Sequence, residues 1–166
     1  MPGHHPSFHA RPKPDHPAIV IADTGEILTY AKLDEASNRV AQLLRARGLV
    51  AGDRIAAIMG NWLAFPVVYW GATRAGLVIT LISHHLKAEE AAYIINDSQA
   101  RVAIIDSTTK HGADLAANFA AMCPKVEHVF AVRGDLPGLE RWEQAVAAMP
   151  AEMISDPSVG VPMIYS

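Results

Sequence analysis

The chain has 166 residues, 51% of them hydrophobic, which is enough to bury one real core and too apolar for a disordered chain. Its formal net charge of −3, with no run of five basic residues, lacks the electrostatic footprint of a nucleic-acid binder. The single cysteine, Cys123, excludes an internal disulfide framework and fits a reducing cytoplasm.

Residues 1–16 read as an irregular arm, because Pro2, Pro6, Pro12 and Pro14 fix φ and remove donors. Four of the eight histidines (His4, His5, His9 and His16) lie there without the spacing of a formed metal site. No apolar stretch of signal-peptide length occurs in this arm. Residues 17–166 then read as one partial domain. A β-branched run over 18–22, a turn at Asp23-Thr24-Gly25-Glu26 and an extended segment over 27–30 predict a β-hairpin. Leu33, Ala36, Val40, Leu43 and Leu44 recur at spacings of three and four, which predicts a helix over 30–47. Thr29 stands at its N-cap and Gly48 where a left-handed residue is wanted.

A strand is predicted over 54–59, whose residues 55–59 are apolar on both faces, as a strand buried in a parallel sheet must be. A nearly all-apolar helix follows within 61–75, with Pro66 in its first turn, and Gly76 ends it. This stretch is broken by Gly60, Asn61, Pro66, Gly71, Arg74 and Gly76, so it cannot be the ~20-residue apolar run of a membrane span. Further strands are predicted over 77–83, 101–106, 128–133 and 161–166, and helices over 88–96, 109–122 and 139–149. Alternating strands and helices predict an α/β fold: a mostly parallel, doubly wound sheet flanked by helices.

Chemistry-bearing motifs are sparse. No two glycines stand two residues apart, so the dinucleotide turn G-x-G-x-x-G is absent and an oxidoreductase reading fails. Gly71 and Gly76 have phosphate-loop spacing, yet Leu77 and Val78 stand where Lys and Ser/Thr would bind phosphate and Mg²⁺. There is no His-Glu-x-x-His, no cysteine pair for zinc, and no G-x-S-x-G elbow. Cys123, before Pro124, reads as a buried structural thiol. His84 and His85 follow a predicted strand end, where ligands bind in such sheets; with no acid or nucleophile partner visible, they read as loop residues.

Three stretches carry a family resemblance. Leu28-Thr-Tyr-Ala-Lys-Leu-Asp-Glu-Ala-Ser-Asn-Arg39 resembles the L-T-Y-x-E-L-x-x-x-S-N-R opening of the adenylate-forming superfamily. Gly52-Asp-Arg-Ile-Ala56, Asn61 and Trp70-Gly-Ala-Thr-Arg-Ala-Gly76 resemble its G-D-R-V-A … N … G-x-x-x-A-G segment. His85-Leu-Lys-Ala-Glu-Glu-Ala-Ala-Tyr-Ile-Ile95 with Asp97-Ser98 resembles L-T-x-E-E-x-x-Y-I-L-x-D-S, although Lys87 replaces a capping Thr or Ser. Met163-Ile-Tyr-Ser166 is similar to the strand that leads into the family's loop Y-[ST]-S-G-T-T-G-x-P-K-G. Ser166 would be the first serine of that ATP phosphate loop, the only residue here that belongs to a ligand motif, and at its edge.

The resemblance implies an AMP-forming acid–CoA ligase. A carboxylate attacks the α-phosphate of ATP, pyrophosphate leaves, and the thiol of CoA attacks the acyl-AMP. ATP, Mg²⁺ and CoA are therefore cofactors expected of the complete enzyme, but not of this chain alone, and no catalytic or metal-binding residue can be carried onto it. Thr80-Leu-Ile-Ser-His-His85 resembles fatty acyl-CoA synthetases more than peptide-synthetase modules, so an acyl or aryl acid, a fatty acid foremost, is the partner expected of the complete enzyme. A homodimer and a peripheral membrane contact stay open. The alternative is a stand-alone, non-catalytic binding or oligomerisation module that reuses this half-fold.

Overall fold

The computed structural model describes residues 5–165. The arm expected to be irregular carries a short helix, α1 (Pro6–Ala10). Pro6 occupies its first turn, where the missing N–H does no harm and the fixed φ already suits a helix. Its buried ring seats the arm on the body, with the His5 ring 6.2 Å from Trp70 and the His9 ring 5.1 Å from Tyr30. His4 lies outside the described residues.

Strands β1 (Pro17–Val20) and β2 (Ile27–Thr29) form an antiparallel pair apart from the main sheet. Helix α2 (Tyr30–Ala46) starts where the Thr29 hydroxyl accepts the N–H of Lys32 at 3.3 Å, and Gly48 beyond its end has φ +79°. The rest alternates as β3 (Arg54–Ile58), α3 (Ala64–Arg74), β4 (Val78–Ile82), α4 (Ala88–Asp97) and β5 (Val102–Asp106). Then come α5 (Gly112–Ala117), α6 (Phe119–Met122), β6 (His128–Val132), β7 (Glu140–Arg141), α7 (Trp142–Ala147) and β8 (Val161–Met163).

Six strands form one parallel sheet in the order β7-β6-β5-β3-β4-β8. Side chains alternate across it, as a two-residue period requires. Ile55, Ala57, Ile79, Val102, Ile104 and Phe130 pack under α2, α3 and α7. Ala56, Ile58, Ile82, Ala103, Ile105 and Ala131 pack under α4, α5 and α6. The helix α3 carries the chain from β3 to β4 on one face. The helix α4 carries it back past β3 to β5 on the other, as right-handed crossovers in opposite directions demand.

Besides the arm, three elements differ from the sequence reading. The helix expected over 109–122 is split at Asn118, whose φ of −119° leaves the helical region and whose N–H bonds back to Leu115 O at 3.3 Å. Asparagine competes with helical bonding through its own side chain, here reaching Asp114 O at 3.5 Å. The start of the helix expected over 139–149 is extended instead. Glu140 and Arg141 pair with Phe130 and Ala131 of β6, and Trp142 turns inward, edge-on to Phe130 at 5.4 Å. The strand expected over 161–166 spans three residues on the sheet's rim, with Val161 52% exposed. Pro162 suits that place. Val161 N–H bonds to Leu77 O at 3.1 Å, so the next nitrogen along the strand faces away from β4.

Candidate functional site at the carboxyl edge of the sheet

In a sheet wound in both directions, ligands bind outside the carboxyl ends of the strands, where neighbouring connections leave toward opposite faces. Here that place lies between β3 and β5. The loops after them bring together Gly60, Trp62, Asp106, Thr108 and, from the end of β6, Arg133.

Asp106 ends β5 and is fully buried. Its carboxylate accepts the N–H of Thr108 at 2.9 Å, the Thr108 hydroxyl at 2.6 Å and the N–H of Gly60 at 3.4 Å. The Arg133 guanidinium lies 3.9 Å from that carboxylate, donates to Thr108 Oγ1 at 3.2 Å and rests on the Trp62 ring, 3.5 Å from its centroid. Arg133 itself has φ +67°, an uncommon backbone for a side chain of its size, and its N–H is held by Glu143 Oε1 at 2.6 Å. The cluster ties three post-strand loops into one rigid rim. The sequence carried one signal of it: Asp106 is a charged residue at the carboxyl end of an otherwise apolar strand.

His84 and His85 stand nearby on the same rim, after β4. Their ring centroids lie 3.9 Å apart with the planes tilted by 39°, His84 half-buried and His85 exposed, and the His85 N–H bonds to Ser83 Oγ at 3.3 Å. Neither ring has an acid or nucleophile partner among the described residues. Cys123 lies elsewhere, 1% exposed behind α6, and burial pushes its thiol up to about 11. At neutral pH it is an unreactive thiol. Ser166 lies outside the described residues.

A triphosphate with magnesium needs backbone N–H groups, cations and a carboxylate aimed into one cavity. The described rim does not fit that demand: Asp106 is fully buried and already accepts three hydrogen bonds, and Arg133 is held over the Trp62 ring. Among the described residues no three His, Cys, Asp or Glu side chains converge on a metal position. No described helix is long and apolar enough to cross a membrane.

Several positions of the three signature stretches hold the fold together. Arg74 of α3, 3% exposed, donates to Asn38 Oδ1 and, at 2.7 Å, to Asp34 Oδ1, both on α2. Gly71 sits where α3 crosses α2 against Val40 and Ser37. Lys87 has no acceptor for a cap, but its own N–H is taken by Glu90 Oε2 at 2.8 Å, which restores half of a capping box.

A family model described as AMP-binding enzyme matches residues 7–162. The 4-hydroxybenzoate–CoA/benzoate–CoA ligase of Rhodopseudomonas palustris is 34% identical over 119 residues, 72% of this chain and 21% of that protein. A long-chain-fatty-acid–CoA ligase of Escherichia coli is 34% identical over 120 residues, 72% of this chain and 20% of its own length. The chain thus spans about a fifth of these relatives. Among solved structures, Mycobacterium tuberculosis fatty acyl CoA synthetase superposes with a TM-score of 0.78 at 25% identity, over 95% of this chain and 31% of that one. The anthranilate CoA ligase AuaEII, in complex with anthranoyl-AMP, superposes with a TM-score of 0.81 over 93% of this chain and 29% of that one. At 19% identity that likeness is one of fold.

Proposed function

The chain belongs to the AMP-binding enzyme family, and from that premise we propose that it is the N-terminal scaffold of an AMP-forming acid–CoA ligase whose acid is a fatty acid. The observation that carries the reading is the family match over 7–162, together with relatives of which the matched segment makes up about a fifth. In this reading the complete enzyme activates a carboxylic acid as its acyl-AMP with ATP and Mg²⁺, and passes the acyl group to CoA. Ser166 opens the ATP phosphate loop, and the reactive groups belong to sequence that follows it. The present residues contribute rigidity: transition-state stabilisation by fixed dipoles requires that they not reorganise during reaction. The Asp106–Arg133–Trp62 rim supplies that fixity at the carboxyl ends of the strands, and the Arg74 bridge holds α3 against α2 behind them.

The choice of a fatty acid leans on the 80–85 segment and on the long-chain-fatty-acid–CoA ligases among the relatives. An aryl acid is the second reading, favoured by the equal 34% identity of the benzoate–CoA ligase. ATP–pyrophosphate exchange by the complete gene product, across fatty acids of graded length and benzoate, separates the two. Exchange is expected with fatty acids, acyl-CoA on adding CoA, and neither from residues 1–166 alone. Exchange by the 166-residue chain, or silence of the complete protein with every acid, overturns the proposal.

A further inference from the structure

Asp97 breaks a local rule. It is the last residue of α4, where the helix dipole disfavours an acid, and the last turn holds no basic residue to offset it. Closing the helix does not require it. The neighbouring Ser98, 1% exposed, donates to Ile95 O at 3.0 Å and does that work. The exposed Asp97 carboxylate makes no ion pair among the described residues. Its hydrogen bond goes instead to a residue 68 positions later, the Tyr165 hydroxyl, at 2.6 Å.

Tyr165 lies two residues past β8 and immediately before Ser166. It lines a groove with Leu81, Leu86, Tyr93 and Ile94. Beyond Met163 the ladder to β4 has ended, so no strand pairing holds the chain there. We infer that Asp97 is a positioning residue: by accepting the Tyr165 hydrogen bond it pins the segment leaving β8 onto α4, and thereby fixes where the loop beginning at Ser166 starts. A hydroxyl bonded to a carboxylate is short, strong and directional, which suits a pin better than an apolar contact that can slide. The same bond pushes the Tyr165 phenol up to about 12, so the donor proton stays in place across the neutral range. This inference rests on reading Ser166 as the first residue of an ATP phosphate loop.

The test uses the complete gene product and the variants Asp97→Ala, Asp97→Asn, Tyr165→Phe and Asp97→Ala/Tyr165→Phe. Ultraviolet titration, differenced against Tyr165→Phe, should show the Tyr165 phenol falling from about 12 toward its ordinary 10 in Asp97→Ala. In pyrophosphate exchange, Asp97→Ala should raise KM for ATP by about tenfold, the worth of one charged hydrogen bond, with KM for the acid unchanged. Asp97→Asn, which keeps an acceptor oxygen, should recover most of that loss, and the double variant should be no worse than either single one. A phenol shift with unchanged ATP kinetics, or additive losses in the double variant, overturns the positioning role while the enzyme assignment stands. A wild-type protein without exchange removes the assignment and this inference together.

Discussion

Replacing Gly71 with alanine puts a Cβ 2.3 Å from Val40 Cγ1, 2.4 Å from Val40 Cβ and 3.1 Å from Ser37 O. Carbon atoms rest at about 3.5–4.0 Å, so the overlap exceeds about 1 Å. Val40 cannot swing aside: it is fully buried on α2, and a β-branched side chain in a helix has one strongly preferred rotamer. Relief therefore requires α3 to move off α2, which would also stretch the Arg74 bridge to Asp34 and Asn38. Overpacking of this kind costs about 1–3 kcal/mol, and the overlap places Gly71→Ala near the upper end. Better helix propensity returns up to about 1 kcal/mol, leaving a net loss of about 2 kcal/mol. Val40→Ala alone should lose about 2 kcal/mol from the buried methyl groups and the cavity they leave. In the double variant the Cγ1 overlap is gone, while Ala at 40 keeps its Cβ 2.4 Å from the new one, so the loss from Gly71→Ala is relieved in part and the two losses should fall short of their sum. Urea unfolding followed by tryptophan fluorescence measures all four corners of the cycle. Gly71→Ala as stable as the parent, or a double variant showing the plain sum, would refute the close-approach argument.

Asp34→Ala strands a guanidinium that is 3% exposed; with the carboxylate itself 24% exposed and partly screened, the expected loss is about 2 kcal/mol, and adding Arg74→Met should recover most of it in the same urea experiment. Thr80 is fully buried and its hydroxyl meets no partner among the described residues, so Thr80→Val should raise the unfolding midpoint by the equivalent of about 1 kcal/mol. Cys123, with its thiol raised from 9.0 to about 11 by burial, keeps its proton longer folded than unfolded. The thiol's contribution to stability should therefore be flat below about pH 9 and fall between about 9 and 11, as the unfolded thiol ionises first; in Cys123→Ala the fall that begins near pH 9 should vanish from a pH series of unfolding curves, leaving the later fall that the raised Tyr165 phenol brings above about pH 10. Thiol reagents at pH 7.5 should label Cys123 only after denaturant is added, and rapid labelling of the native protein would contradict its burial.

Much of this molecule is written in local pattern. The 3.6-residue spacing of Leu33, Val40 and Leu44, the Thr29 cap and Gly48 specify α2 almost to the residue, because helix bonds and capping bonds close within four positions. The doubly apolar runs at β3 and β5 announce a sheet covered on both faces, since only burial on both sides tolerates no polar alternation. Local pattern fails where two alternatives are close in local energy and a distant partner decides. Residues 140–141 sit beside a helix and are extended because β6 offers an open edge. The 109–122 segment is split because an asparagine can satisfy its neighbours without helical bonds. Pro6 starts a helix within a proline-rich arm because α2 provides a surface to bury its ring.

The rim of the sheet shows the same division. Asp106 as a strand-end acid is visible in one dimension, but its junction with Gly60, 46 positions away, and with Arg133 depends on β5 pairing with β3 on the side opposite β4. The order of strands is not encoded in any single strand, since each is an interchangeable apolar run. It follows from which helices can cover which face once right-handed crossovers are imposed. The pairing of Asp97 with Tyr165 has the same origin: two residues in separate stretches become neighbours only when β8 takes its place beside β4. Chain-local bonding chooses the elements, and competition among long-range contacts for one shared core chooses their partners.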